Sequence, residues 1–253
     1  MKKREILAFT LLVAVLSMNM IMGSMAYALD IHPAEDRTTV VNWQVTQAPQ
    51  TAFNMYFTGA GYCLIDPDST LSFTVGDINS DVEGLLVIGN VSILANDTDV
   101  SRDLVLGVGI YSAFEPGLFV EIGASNFDNL NASAYASAQR VSGNWMNGTM
   151  SSSYGNVTIG DSEFEAITFD YEQDTPFAGD PQRTRLIYDI TTGVLLYANT
   201  SYWFGEGSEP YWLEIEFLEI TYTGPFPLTT IYYIIIASLI VVILIALVVR
   251  RRK

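Results

Sequence analysis

Between residues 38 and 222 apolar and polar side chains mostly alternate, and turn-forming residues recur about every ten positions, which predicts short antiparallel strands. The clearest hairpin runs Arg185 to Ile190, turns at Thr191-Thr192-Gly193 and returns as Val194 to Phe204, with Gly193 supplying the positive φ of a tight loop. Tyr211 to Tyr222 predicts the last strand, with Leu213, Ile215 and Phe217 on one face and Glu214 and Glu216 on the other. Its alternation slips at Leu218-Glu219-Ile220, which predicts a bulge. Glu83 to Ala95 reads as strand, and further strands are expected at 38–46, 53–58, 70–76, 103–112, 117–123, 141–150, 155–160 and 163–171. One helix is expected, Asn129 to Arg140, capped by Asp128 and presenting Leu130, Ala134, Ala138 and Val141 on one face. The fold class is therefore mostly β: an antiparallel sheet domain, half-barrel or sandwich, plus one C-terminal transmembrane helix.

That helix comes from a different pattern. Ile231 to Val249 holds 19 uncharged residues, 14 of them Ile, Leu or Val. At ~1.5 Å per residue the run spans ~28 Å, the thickness of a hydrocarbon core, and its insertion sums to about −6 kcal/mol. Arg250-Arg251-Arg252-Lys253 follows at once, and such flanking charges stay cytoplasmic. At the other end Lys2-Lys3-Arg4, the apolar run Ile6 to Leu16 and the small-residue ending Ala26-Tyr27-Ala28 have the layout of a secretory signal peptide. The expected order is signal peptide 1–28, extracellular β domain 29–227, transmembrane helix 228–249 and cytoplasmic basic tail 250–253. This places the chain in a cell membrane as a single-pass protein with its N-terminal domain outside and the lipid bilayer as a partner through 228–249.

Charge narrows the ligand classes. Residues 29–227 carry 27 Asp plus Glu against five arginines and no lysine, a difference of −22. Such a surface repels nucleic acid and anionic lipid, leaving solubility, divalent cations, envelope proteins or glycans. Cys63 is the only cysteine, so the domain has no intrachain disulfide, and its apolar neighbours make it a small buried hydrophobe. Six N-x-[ST] sequons, at Asn90, Asn96, Asn131, Asn147, Asn156 and Asn199, draw on only twelve asparagines in the domain, where about two matches would arise by chance. With an export signal they predict N-glycosylation. An outward Asn199 turns Leu196, Ala198 and Tyr202 inward, and an outward Asn90 would turn Leu85, Val87, Val91 and Ile93 inward.

Catalytic parts are scarce. The one histidine, His32, lies in a Pro-containing terminal stretch, and no nucleophile elbow, zinc-protease motif, paired-cysteine motif or phosphate loop is present. No catalytic residue is assigned and no cofactor is required. Acidic pairs leave a carboxylate-dependent glycan hydrolase as one alternative. Asp77, Asn79, Asp81 and Glu83 place oxygen donors at alternate positions around a turn, as calcium requires, without the glycine and glutamate of an EF-hand. Asp97, Asp99 and Asp103 form a second acidic group. Tyr202, Trp203 and Phe204 face Tyr211 and Trp212 across an acidic loop, an arrangement suited to stacking on sugar rings or a partner's apolar patch.

Two local resemblances add to this. Asp189-Ile190-Thr191-Thr192-Gly193-Val194-Leu195 resembles the hairpin turns of bacterial lipoprotein-carrier half-barrels, and the likeness implies an apolar concavity that holds lipid. Gly224-Pro225-Phe226-Pro227, the apolar helix and the basic tail together resemble the sorting signal of archaeal single-pass surface glycoproteins with a C-terminal anchor. Its Gly-Pro-Phe order departs from that family's Pro-Gly-Phe, so an uncut anchor is expected. The function that emerges is a membrane-anchored surface domain with a non-catalytic binding or envelope-structural role, the alternatives being a lipid- or carbohydrate-binding half-barrel and a glycan hydrolase.

Overall fold

The computed structural model describes residues 38–104, 116–138, 148–174, 180–202 and 211–223. The expected signal peptide, membrane helix and basic tail, the Gly224–Pro227 motif and His32 lie outside them. The protein is mostly β. In chain order the elements are β1 (Thr38–Gln47), β2 (Phe53–Met55), β3 (Gly61–Cys63), β4 (Thr70–Ile78), β5 (Val82–Ile88), β6 (Val91–Asn96), α1 (Asp97–Leu104), α2 (Ala124–Ala138), β7 (Gly148–Ile159), β8 (Ser162–Gln173), β9 (Arg183–Asp189), β10 (Leu195–Tyr202) and β11 (Tyr211–Thr223).

Nine strands form one sheet in the order β6-β5-β4-β1-β11-β10-β9-β8-β7, antiparallel at every step. Two meanders, β4 to β6 and β7 to β11, are joined by β1, which pairs with β4 on one side and β11 on the other. After β1 the chain leaves the sheet, forms the small β2-β3 hairpin and returns as β4.

Alternation sends one set of side chains from each central strand into a common core: Val41, Trp43 and Val45 from β1, Leu71 and Phe73 from β4, Leu213 and Ile215 from β11. The chain itself covers this face. Phe119 packs its ring against Trp43 at 6.1 Å and Phe73 at 5.6 Å, and Met55, Cys63, Val100, Leu104 and Leu118 are fully buried with them. Two buried tyrosines fasten cover to sheet, Tyr188 Oη donating to the Gly117 carbonyl (2.9 Å) and Tyr211 Oη to that of Leu104 (2.8 Å), while Trp43 Nε1 ties β1 to β10 by donating to the Leu195 carbonyl (2.6 Å). A smaller cluster, Ile159, Ala166, Ile187 and Leu196, lies on the opposite face. Ala166 and Ile187 alternate there with the core residues Ile167, Leu186 and Tyr188, so β8 and β9 are apolar on both sides.

The bulge in the last strand is present. Asn42 pairs with Glu219 and Trp43 with Phe217, leaving Leu218 as the extra residue, half exposed. The Asn199 register holds for Ala198, which is buried, and for Tyr202, which stacks on buried Tyr211, but not for Leu196, which a register shift between Leu195 and Tyr197 turns into the cluster on the opposite face. The Asn90 register holds after the turn, where Val91 is buried, and fails before it. Gly89 (φ 53°) and Asn90 form a two-residue turn that pairs Ile88 with Val91, so parity inverts across it; Leu86 and Ile88 enter the core while Leu85 and Val87 stay exposed.

Other boundaries move as well. Residues 103–104, expected to open a strand, close α1, and 105–112 lie outside the described residues. Residues 117–123 make only an isolated bridge, Phe119 to Val194. The stretch Ser151–Tyr154 reads as a break between two strands, yet it pairs with β8 without interruption. Helix α2 starts five residues before its expected first turn, because the Gly123 carbonyl already accepts from Asn126 and Phe127; Asp128 therefore lies inside the helix and is not its cap.

Candidate functional site

The residues expected to form an aromatic platform separate. Tyr202 and Tyr211 are paired cross-strand neighbours facing the core, their rings stacked at 4.5 Å, and burial raises both hydroxyls above the ordinary tyrosine range. Trp212, one residue along, points to the other face and is 48% exposed. Trp203 and Phe204 lie outside the described residues.

The residues of the expected calcium loop have separate partners. Asp77 sits at the register shift between Val75 and Ile78, Asp81 accepts from Thr98 Oγ1 (3.2 Å), and Glu83 projects outward from β5. The Asn79 amide bonds back to the Asp81 carbonyl. Among the described residues no three His, Cys, Asp or Glu side chains are grouped to hold a metal ion. Asp77 and Glu83 instead line, with Phe57, Leu94, Asn96 and Asp99, an open hollow of about 440 Å³. A second hollow, about 370 Å³, lies among Phe127, Asp128, Tyr154 and Ile190.

The second acidic group is structural. Asp103, 6% exposed, accepts the backbone amides of Phe57 and Thr58, each at 2.9 Å, and the Thr58 hydroxyl at 2.8 Å, so it anchors the β2-β3 region to α1. Asp97, 2% exposed, accepts from Val82 (2.9 Å) and Phe119 (3.0 Å), tying α1 to β5 and to the cover. Gly117 leaves the space that the Asp97 carboxylate fills, since a Cβ there would collide with Oδ2. Burial pushes the Asp97 carboxyl from 3.8 up to about 6; the two amides pull it down, and neighbouring Asp81 adds to the rise. Cys63 is buried as expected, and burial raises its thiol to about 11, which leaves it unreactive at neutral pH.

The sequons differ in what their amides do. Asn90 lies beside β3: its Oδ1 accepts from the Leu64 amide (2.8 Å) and its Nδ2 donates to the Tyr62 carbonyl (3.2 Å). Asn96 caps α1, its Oδ1 accepting the Asp99 amide (2.7 Å) and its Nδ2 donating to the Asp99 carboxylate (2.9 Å). Asn131 accepts from Ser152 Oγ (2.6 Å), joining α2 to β7. Asn199 donates to Glu214 (3.0 Å) and to Tyr197 Oη (3.2 Å). Asn156, exposed on β7, makes one exposed contact, to Glu163 (2.9 Å). Asn147 lies outside the described residues.

One surface has no counterpart among the sites expected from sequence. Tyr56 (73% exposed), Tyr62 (74%) and Leu64 (49%) share the outward face of the β2-β3 hairpin, while Met55 and Cys63 turn inward. A signal is present: Thr46 to Ile65 carries no charge in a strongly acidic domain. No protein-family model matches the chain, and no curated protein or solved structure matches it significantly.

Proposed function

We propose that this chain is a membrane-anchored surface protein whose β domain serves a non-catalytic, envelope-structural role. In this reading 1–28 directs export, 228–249 anchors the chain, and the nine-stranded sheet curves as a half-barrel. The observation that carries the role is what fills the sheet's apolar face. Where a lipid carrier needs a hollow, Phe119, Leu118, Leu104 and Met55 occupy the space, at 8% exposure or less. The buried carboxylates Asp97 and Asp103 spend their lone pairs on backbone amides of the cover and of β5. The charge-free outward face of β2-β3 is the natural contact for a neighbouring envelope protein, because elsewhere two such acidic domains repel.

Thermal unfolding of the purified full-length chain tests this. Saturating fatty acid, phospholipid or oligosaccharide is expected to leave the midpoint unchanged. A ligand-dependent rise of about 5 °C or more would replace the structural role with a carrier or receptor role.

A further inference from the structure

We propose that the fold sorts the sequons: Asn156 carries sugar, whereas Asn90 and Asn96 stay bare. The inference rests on the proposed surface role and deepens it. Glycosyl transfer from a phosphate-activated donor forms a C1–Nδ2 bond and breaks the donor's C1–O bond. One Nδ2 proton is lost and the phosphate departs as leaving group. The product is a secondary amide, which keeps its nitrogen substituent on the same side as its oxygen; the reverse arrangement costs ~2.5 kcal/mol.

That geometry decides between the sites. At Asn90, Oδ1 and Nδ2 engage one edge of β3 together, so the hydrogen used is the one on the oxygen's side of the amide. This is the position a sugar would take, where the Tyr62 carbonyl now lies. Space is short beside it, since a Cβ on Gly89 would already collide with the Leu64 carbonyl. Asn96 presents the same two-point geometry to Asp99, and a sugar there would break the cap of α1. Asn156 has no such tie. It stands exposed on β7, an edge strand of the sheet among the described residues, and there its side-chain amide bonds an exposed side chain across the hairpin.

A sugar at Asn156 also has a physical use. Near Ser152 the Tyr135 hydroxyl of α2 already takes the β7 backbone amide (3.2 Å). Beyond it the outer edge of β7 has no neighbouring strand among the described residues, and a bulky polar chain at Asn156 blocks another sheet from pairing there.

Glycopeptide mass spectrometry on the full-length chain from its native cells reads the pattern directly. The expected result is modified Asn156 with unmodified Asn90 and Asn96. Sugar on Asn90 or Asn96, or a bare Asn156 beside other occupied sites, overturns the sorting and leaves the surface role standing. Absence of sugar at all six sequons overturns both. A variant pair separates amide from glycan at Asn90. Ser92→Ala destroys the sequon but keeps the amide, and is expected to change neither the attached glycan mass nor the melting temperature. Asn90→Ala is expected to lower the melting temperature by about 3 °C or more. Equal behaviour of the two variants would contradict the assignment.

Discussion

Trp43→Ala is expected to lower the stability of the β domain by about 4–6 kcal/mol, more than truncation of any other core side chain. Trp43 is fully buried on β1, the strand that joins the two meanders, and packs edge-on against Phe119 of the cover. Truncation leaves a cavity the size of an indole and strips the Leu195 carbonyl of a donor held at 2.6 Å. A domain with a usual margin of about 5–15 kcal/mol would then be close to unfolding. Urea titration followed by circular dichroism should show a midpoint lower by about 1.5–3 M with an unchanged slope. Trp43→Phe, which keeps most of the ring volume and loses the N–H, should cost roughly a third as much. A loss under about 1 kcal/mol for the alanine variant would mean the cover does not pack on the sheet.

Raising the pH from 4 to 6.5 is expected to remove about 2 kcal/mol of stability through Asp97 alone. Its carboxyl lies at about 6 in the folded protein and at the ordinary 3.8 when unfolded, so the native state holds the proton more tightly. The contribution is therefore fully present below about pH 4, is lost as pH rises through 6, and is constant above that. Other carboxylates titrate in the same range, so the informative quantity is wild type minus Asp97→Asn. The asparagine has one acceptor for two backbone donors, Val82 and Phe119, which subtracts a pH-independent amount. The difference should fall by about 2 kcal/mol across the window; a flat difference, or one rising with pH, would show that the two amides offset or outweigh burial.

How much of the fold is legible in the chain depends on whether a signal is local. Strand alternation locates Leu213 and Ile215 in the core, and the break in that alternation locates the Leu218 bulge, because both follow from one strand's own period. Asn199 orients Ala198 and Tyr202 correctly since they share its strand, but the register shift between Leu195 and Tyr197 turns Leu196 to the other face. The same inference at Asn90 crosses a two-residue turn, where parity inverts, and Leu85 and Val87 come out reversed. Helix α2 has few large apolar residues, and its start depends on a glycine carbonyl before the first serine, so Asp128 looks like a cap that it is not.

Site chemistry is harder to read, because side chains close in sequence go to different places. Tyr202 and Tyr211 form a stacked core pair, yet adjacent Trp212 faces outward. Asp77, Asp81 and Glu83 have calcium-like spacing, but Asp77 lies at the register shift between Val75 and Ile78, Asp81 takes the Thr98 hydroxyl, and Glu83 lines an open hollow with Asp77. Asp97 and Asp103 read as surface acid, and only long-range contacts with Phe119 and Phe57 show them to be buried anchors. For the β2-β3 surface the uncharged run Thr46 to Ile65 is the one clue.

The central claim is that this filled β domain stands outside the cell. Protease added to intact cells, followed by mass spectrometry of the released peptides, tests it most directly. Peptides from 38–223 are expected in the medium before any permeabilisation. Protection of that region until the membrane is breached would contradict the account, and with it the surface role and the sugar at Asn156.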